Sequence, residues 1–146
     1  MTIIKFQRDL AGAAAERRDL SRKRKVLELR GRMLSSIRQW FESAGFLAVE
    51  TPVRLPCPAL EDYIEAEPSG ECWLRTSPEL HMKRLLAAGY ERIYQIGPCF
   101  RQGERGMRHL PEFTMLEWYR LNGDWKDIRE DTKVMLRRVL QDCLGQ

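Results

Sequence analysis

The run Glu112–Leu121 (EFTMLEWYRL) concentrates residue types that can bind a charged ligand. Side chains alternate along an extended chain, so Phe113, Met115, Glu117 and Tyr119 fall on one face and Thr114, Leu116, Trp118 and Arg120 on the other. A carboxylate set between Met115 and Tyr119 is costly to bury alone, so Glu117 requires either a cationic ligand or water. Phe113 and Glu117 lie about 13 Å apart at roughly 3.3 Å per residue, which suits the two ends of one extended ligand. Arg101, on the preceding strand, can direct a planar guanidinium into the space between them, and that fork matches a phosphate through two parallel hydrogen bonds. Each of these residues taken alone is equally an ordinary surface or core position. Their combination on one face is the informative feature.

These side chains need a hairpin to hold them. Arg92–Arg101 and Glu112–Leu121 read as two strands joined by the long loop QGERGMRHLP. Ahead of them, Val26, Met33, Leu34, Ile37, Trp40, Phe41 and Ala44 recur at three- and four-residue intervals and predict a helix over 21–44, stopped by Gly45. Phe46–Thr51 reads as a strand halted by Pro52, and Pro56 and Pro58 exclude regular structure from the segment that follows. Trp73–Thr76 predicts a short strand. Ser77 as N-cap, Pro78 in the first turn and Glu79 behind it predict a helix to about Ala88, ended by Gly89. Asp124 can cap a last helix whose stripe is Ile128, Thr132, Met135, Leu136, Val139 and Cys143. This order of elements implies an α+β fold with an antiparallel sheet flanked by helices.

The chain of 146 residues is the size of one domain; 43% hydrophobic and 32% charged residues make a globular balance. No apolar run is long enough to cross a bilayer, so no membrane partner is expected. The first twenty residues lack the apolar stretch of a signal peptide, so a cytoplasmic location is expected. Cys57, Cys72, Cys99 and Cys143 contain no C-x-x-C pair and the histidines are only His81 and His109, so reduced thiols and no zinc are expected. Eight basic residues from Arg17 to Arg32 face only Asp19 and Glu28. They make either a solvated helix face or a patch for RNA or an acidic protein.

The stretches GFLAVETPV, LRTSPELHMKRLLAAGYERIYQIGPCFR and FRQGERGMRHLPEFTMLEWYR resemble, in order and spacing, the first two signature motifs of class II aminoacyl-tRNA synthetases, lysine subgroup. Within it, TSPELHMKRLL and PEFTMLEWYR look most like the elongation factor P lysine ligases, synthetase paralogues that charge a protein lysine. The resemblance implies a ligase that uses ATP with Mg2+ to convert lysine or β-lysine to an aminoacyl-adenylate, then passes it to elongation factor P. The alternative acceptor is tRNA. Arg101 resembles the motif-two arginine that holds the α-phosphate and the substrate carboxylate. Phe113 matches the ring on which adenine stacks, and His109 sits where the family's loop contacts the nucleotide. Ser77 and Glu79 match the segment that receives the substrate α-amino group, and Glu117 and Tyr119 the positions that recognise the side-chain ammonium. Pro52 resembles the proline at the family's homodimer interface.

Two positions depart from the family pattern. Gly103 stands where many lysine enzymes have a glutamate for the adenine amino group, leaving Glu104 as the substitute, and Leu110 replaces the commoner asparagine beside His109. The glycine-rich third motif and the principal metal-binding acids would lie beyond Gln146, and no metal ligand is assigned within the chain. The expected organisation is therefore a basic extension over 1–20 and a partial catalytic domain over 21–146. The lack of an N-terminal oligonucleotide-binding barrel favours the translation-factor ligase over a tRNA synthetase. A catalytically incomplete paralogue that dimerises or binds a partner is the non-enzymatic reading.

Overall fold

A computed structural model describes residues 10–145, in the order α1 (Leu10–Ser43), β1 (Leu47–Ala48), β2 (Arg54–Leu55), β3 (Pro68–Ser69), β4 (Cys72–Leu74), α2 (Glu79–Ala87), β5 (Arg92–Phe100), β6 (Glu112–Arg120) and α3 (Trp125–Leu144). Residues 1–9 of the expected N-terminal extension lie outside that range.

Helix α1 begins about three turns earlier than its apolar stripe predicts, because the alanine-rich stretch at 13–15 has the highest helix propensity even where nothing packs on it. Its early apolar residues stay in solvent: Val26 is 66% and Met33 38% exposed, whereas Ile37 and Phe41 are buried. The stripe is thus covered only over the last turns of the helix. All eight basic residues between Arg17 and Arg32 are exposed. The helix ends as expected at Gly45, whose φ of 77° is open to glycine at little cost. There the Phe46 N–H donates to the Phe41 carbonyl at 2.9 Å and the Gly45 N–H to that of Glu42 at 3.1 Å, the paired bonds of a Schellman stop.

The hairpin forms with nine facing pairs, from Arg92 opposite Arg120 to Phe100 opposite Glu112. Its Tyr94, Ile96, Leu116 and Trp118 side packs against Ile37, Phe41, Phe46, Met135 and Val139 from α1, its C-terminal turn and α3. At the centre Phe41 stacks on Tyr94 with centroids 4.6 Å apart and meets Phe46 edge-on at 5.1 Å. Leu136, expected on the α3 stripe, is 50% exposed, since Met135 and Val139 take the inward positions.

The α+β class agrees with this architecture, but the sheet is not wholly antiparallel. β1 runs parallel to β5, with Leu47 facing Ile93 and Ala48 facing Tyr94, while β6 is antiparallel to β5. A parallel partner requires a long crossover, here the stretch containing α2. β1 itself is shorter than the expected 46–51 strand, although the Val49 N–H still donates to the Tyr94 carbonyl at 2.9 Å. A second, antiparallel sheet of order β2-β4-β3 contains the strand expected near Trp73–Thr76, here Cys72–Leu74, while Pro56 and Pro58 stay outside any strand and only Arg54–Leu55 ahead of them is unexpectedly regular. Pro68 is tolerated in β3 because that is a two-residue edge strand.

The last helix carries a full capping box. The Asp124 carboxylate accepts from the Lys126 and Asp127 amides at 2.7 and 3.3 Å, and Asp127 accepts from the Asp124 amide at 2.9 Å. Asp124→Ala is expected to lower stability by about 1 kcal/mol. Urea unfolding with an unchanged m-value would show it, and an unaltered midpoint would mean that α3 is held by packing alone.

Candidate active site

The face of the hairpin turned away from the core carries Gln95, Gly97 and Cys99 on β5, opposite Glu117, Met115 and Phe113 on β6. The alternation read from the sequence is therefore the one observed, with Leu116 and Trp118 turned into the core.

At the loop end of this face, Arg101, Glu104, Arg108, His109, Leu110 and Phe113 line a cavity of about 140 Å³. The Arg101 guanidinium lies over the Phe113 ring at 5.1 Å, within the range of a cation–π contact. Its Nη1 stands 3.9 Å from a Glu104 carboxylate oxygen, a loose pair, and its Nε is buried without a hydrogen-bond partner. The Arg101 N–H donates to the Pro111 carbonyl at 2.9 Å, which closes the base of the loop. Arg101, Glu104, His109 and Phe113 are thus brought together, and the unsatisfied guanidinium N–H is suited to an anionic ligand.

At the other end, the Tyr119 hydroxyl donates to the Glu117 carboxylate at 2.7 Å. Burial pushes the Glu117 carboxyl above its ordinary range, with nearby Glu79 adding to the rise, while the Tyr119 bond and the Lys83 and Arg75 charges oppose it. The Tyr119 phenol is likewise raised, by burial first and then by Glu117. Helix α2 packs against β6 and brings Glu79 to this end, where Lys83 pairs with it one turn on. Ser77 does not cap α2 as expected. Pro78 occupies the cap position, its carbonyl accepting from the Met82 N–H at 3.0 Å, and Ser77 Oγ keeps a long contact of 3.4 Å with the Glu79 amide. A proline preset near helical φ takes the cap and displaces the serine by one residue. Glu79, Glu117 and Tyr119 still gather at one end of the face, with Ser77 next to Glu79. Pro52, in contrast, is exposed and outside this group.

One buried charged side chain beside the site escaped the sequence reading. Arg75 is 2% exposed on this same face, its Nη2 only 2.5 Å from where a Cβ on Gly97 would stand. The available signal was Gly97, since a glycine inside a strand marks close approach of another group.

All four cysteines are free, and burial raises the Cys99 thiol. Among the described residues no group of three or more His, Cys, Asp or Glu is placed to hold a metal ion. No helix among them is long and apolar enough to cross a membrane.

The family model for class II tRNA synthetases (D, K and N) matches residues 16–146. The chain is 41% identical over 128 residues to the elongation factor P--(R)-beta-lysine ligase of Actinobacillus succinogenes, which covers 81% of the chain and 39% of that protein. It is 43% identical over 129 residues to the ligase of the same name from Mannheimia succiniciproducens, covering 82% of the chain and 40% of the relative. To the lysine--tRNA ligase of Chromohalobacter salexigens it is 38% identical over 127 residues, 84% of the chain and 25% of the relative. The chain therefore spans well under half the length of these ligases.

Proposed function

The chain belongs to the class II tRNA synthetases of the D, K and N group, and from that premise we propose that its site activates lysine or β-lysine with ATP and serves ligation to a lysine of elongation factor P. The observation that carries this reading is one face with two unlike ends. An arginine, an aromatic ring and a histidine line one end, and a half-buried carboxylate with a tyrosine donor waits at the other. The nucleotide occupies the loop end, where Phe113 stacks the base, His109 and Glu104 contact it, and Arg101 turns from the ring to the α-phosphate. The lysine ammonium meets Glu117 and Tyr119, and the α-amino group replaces Lys83 on Glu79 beside Ser77. The substrate carboxylate attacks the α-phosphorus and pyrophosphate leaves, so no protein nucleophile is needed. Positioning and neutralisation of the growing charge by Arg101 supply the rate. Pro52 and the exposed apolar residues of α1 are offered as the homodimer face.

The protein encoded by the complete reading frame is expected to exchange pyrophosphate into ATP in the presence of lysine or β-lysine and of no neutral amino acid. Label transfer from the adenylate then separates the acceptors. Elongation factor P should be charged and tRNA should not, and tRNA charging alone would make the chain part of a lysine--tRNA ligase. Exchange with no amino acid, together with dimerisation, would make it a binding paralogue.

A further inference from the structure

Arg75 follows β4 directly and is almost fully buried, yet no carboxylate forms an ion pair with it among the described residues. Its bonds go to neutral oxygens instead. Nε donates to the Pro98 carbonyl at 2.8 Å, and Nη1 donates to the carbonyl and the hydroxyl of Thr51 at 2.9 and 3.1 Å. Its main chain continues the connection, with the N–H donating to the Val53 carbonyl at 2.9 Å and the carbonyl accepting from the Phe100 N–H at 2.9 Å. One residue therefore joins the segment after β1, the end of the small sheet and the end of β5. Thr51 is held from the other side as well, since its N–H and hydroxyl both donate to Gln95 Oε1 at 3.1 and 2.9 Å.

The joint depends on a missing side chain. A Cβ on Gly97 would stand 2.5 Å from Arg75 Nη2, inside any permitted contact, and an arginine held by three hydrogen bonds cannot yield without losing some of them. Burying a guanidinium is expensive, so its use to grip carbonyls that a neutral donor could satisfy requires a return elsewhere. That return is its place in the chain. Ser77 and Glu79 lie just beyond Arg75, and Arg101 lies just beyond Pro98.

We propose that Arg75, seated on Gly97, is a positioning residue that holds the segment of Ser77 and Glu79 in register with the hairpin of Arg101 and Glu117. It touches neither substrate. It sets the distance between the group that holds the amino acid and the group that holds the phosphate, and its charge lies in the field seen by Glu117. The proposal rests on the lysine-activating reading above.

The test compares Arg75→Lys, Gly97→Ala, their double variant and Arg75→Met in the protein encoded by the complete reading frame. Hydrogen exchange at the Arg75 and Phe100 amides reads the joint without catalysis. Each single variant should open both amides, and the double variant should open them no further than the worse single one, because both substitutions act on the same guanidinium. In lysine-dependent pyrophosphate exchange each single variant should lose about tenfold in kcat, from misplacement of two substrates that still bind. The double variant should lose no more. Glu117 faces Tyr119 on its own strand, Cys99 on β5, Glu79 and Lys83 on α2, and Arg75. Arg75→Met removes a cation that favours the ionised carboxylate, so the acid limb of kcat/KM for lysine should move to higher pH, while Arg75→Lys leaves it in place. Multiplying losses in the double variant, or an unmoved limb in a folded Arg75→Met protein, would overturn the proposal. If Arg75→Met does not fold, the Lys and Ala cycle decides alone. A wild type without lysine-dependent exchange defeats the activity reading instead, and amides that stay protected in both single variants would then defeat the role of Arg75 separately.

Discussion

Arg101→Ala is expected to reduce lysine-dependent pyrophosphate exchange by about a thousandfold, to the edge of detection, with Arg101→Lys recovering only a small part. The reason lies in how the guanidinium is kept. Its Nε is buried without a partner, its nearest carboxylate oxygen is 3.9 Å away, and its main contact is the face of Phe113. None of these interactions satisfies a planar set of N–H donors, so the group is ready to exchange a weak aromatic contact for a phosphate. Lysine keeps the charge but lacks the fork that grips phosphate and carboxylate together. Because Arg101 rests on Phe113, the alanine variant also frees the ring. Adenosine, which has no phosphate, should bind that variant at least as well as the wild type. Exchange at the wild-type rate in Arg101→Ala would remove Arg101 from the reaction. Weakened adenosine binding would show that the ring needs the arginine to stay in place.

Why the hairpin was legible, and Arg75 was not, follows from the range of the interactions involved. The period-two pattern of Glu112–Arg120 reports burial on one side of a strand, and a one-residue slip would have turned Leu116 and Trp118 into solvent and Glu117 into the aromatic core. Register and site face were therefore written in the same residues. The joint at Arg75 depends on Thr51, Pro98 and Gly97, which come together only through the tertiary fold, and a charged residue at the end of a short strand carries no periodic signal. The parallel pairing of β1 was hidden for the same reason, since two residues are too few for alternation and the pairing direction depends on a distant crossover. Local propensity misled in the opposite sense at α1. Alanine extends that helix well ahead of the stripe, and Val26 remains in water because the packed elements cover only the helix's last turns.

Glu117→Gln tests the amino-acid end of the site, and its effect should depend on the substrate offered. Glutamine keeps the shape and still accepts the Tyr119 hydroxyl, now 2.7 Å from the carboxylate, but it has no charge to offer an ammonium. A hydrogen bond to a charged group is worth roughly 1.5–3 kcal/mol, so kcat/KM for lysine should fall about 10- to 150-fold. Norleucine, which has no cation, should lose little, and discrimination between the two should collapse. The pH response follows from the raised carboxyl. Wild-type activity toward lysine should fail on acidification at a higher pH than an ordinary glutamate would give, because protonation removes the charge the ammonium needs. Glu117→Gln should lose that limb. Stability should move the other way. Folding raises this carboxyl, so the ionised form disfavours the fold above the raised value, and that cost disappears as pH falls below the unfolded value. A neutral glutamine never bears the cost, so the unliganded variant should melt no lower than the wild type at neutral pH. Equal losses on lysine and norleucine together with a lowered melting temperature would make Glu117 a structural residue and leave the ammonium without a receptor.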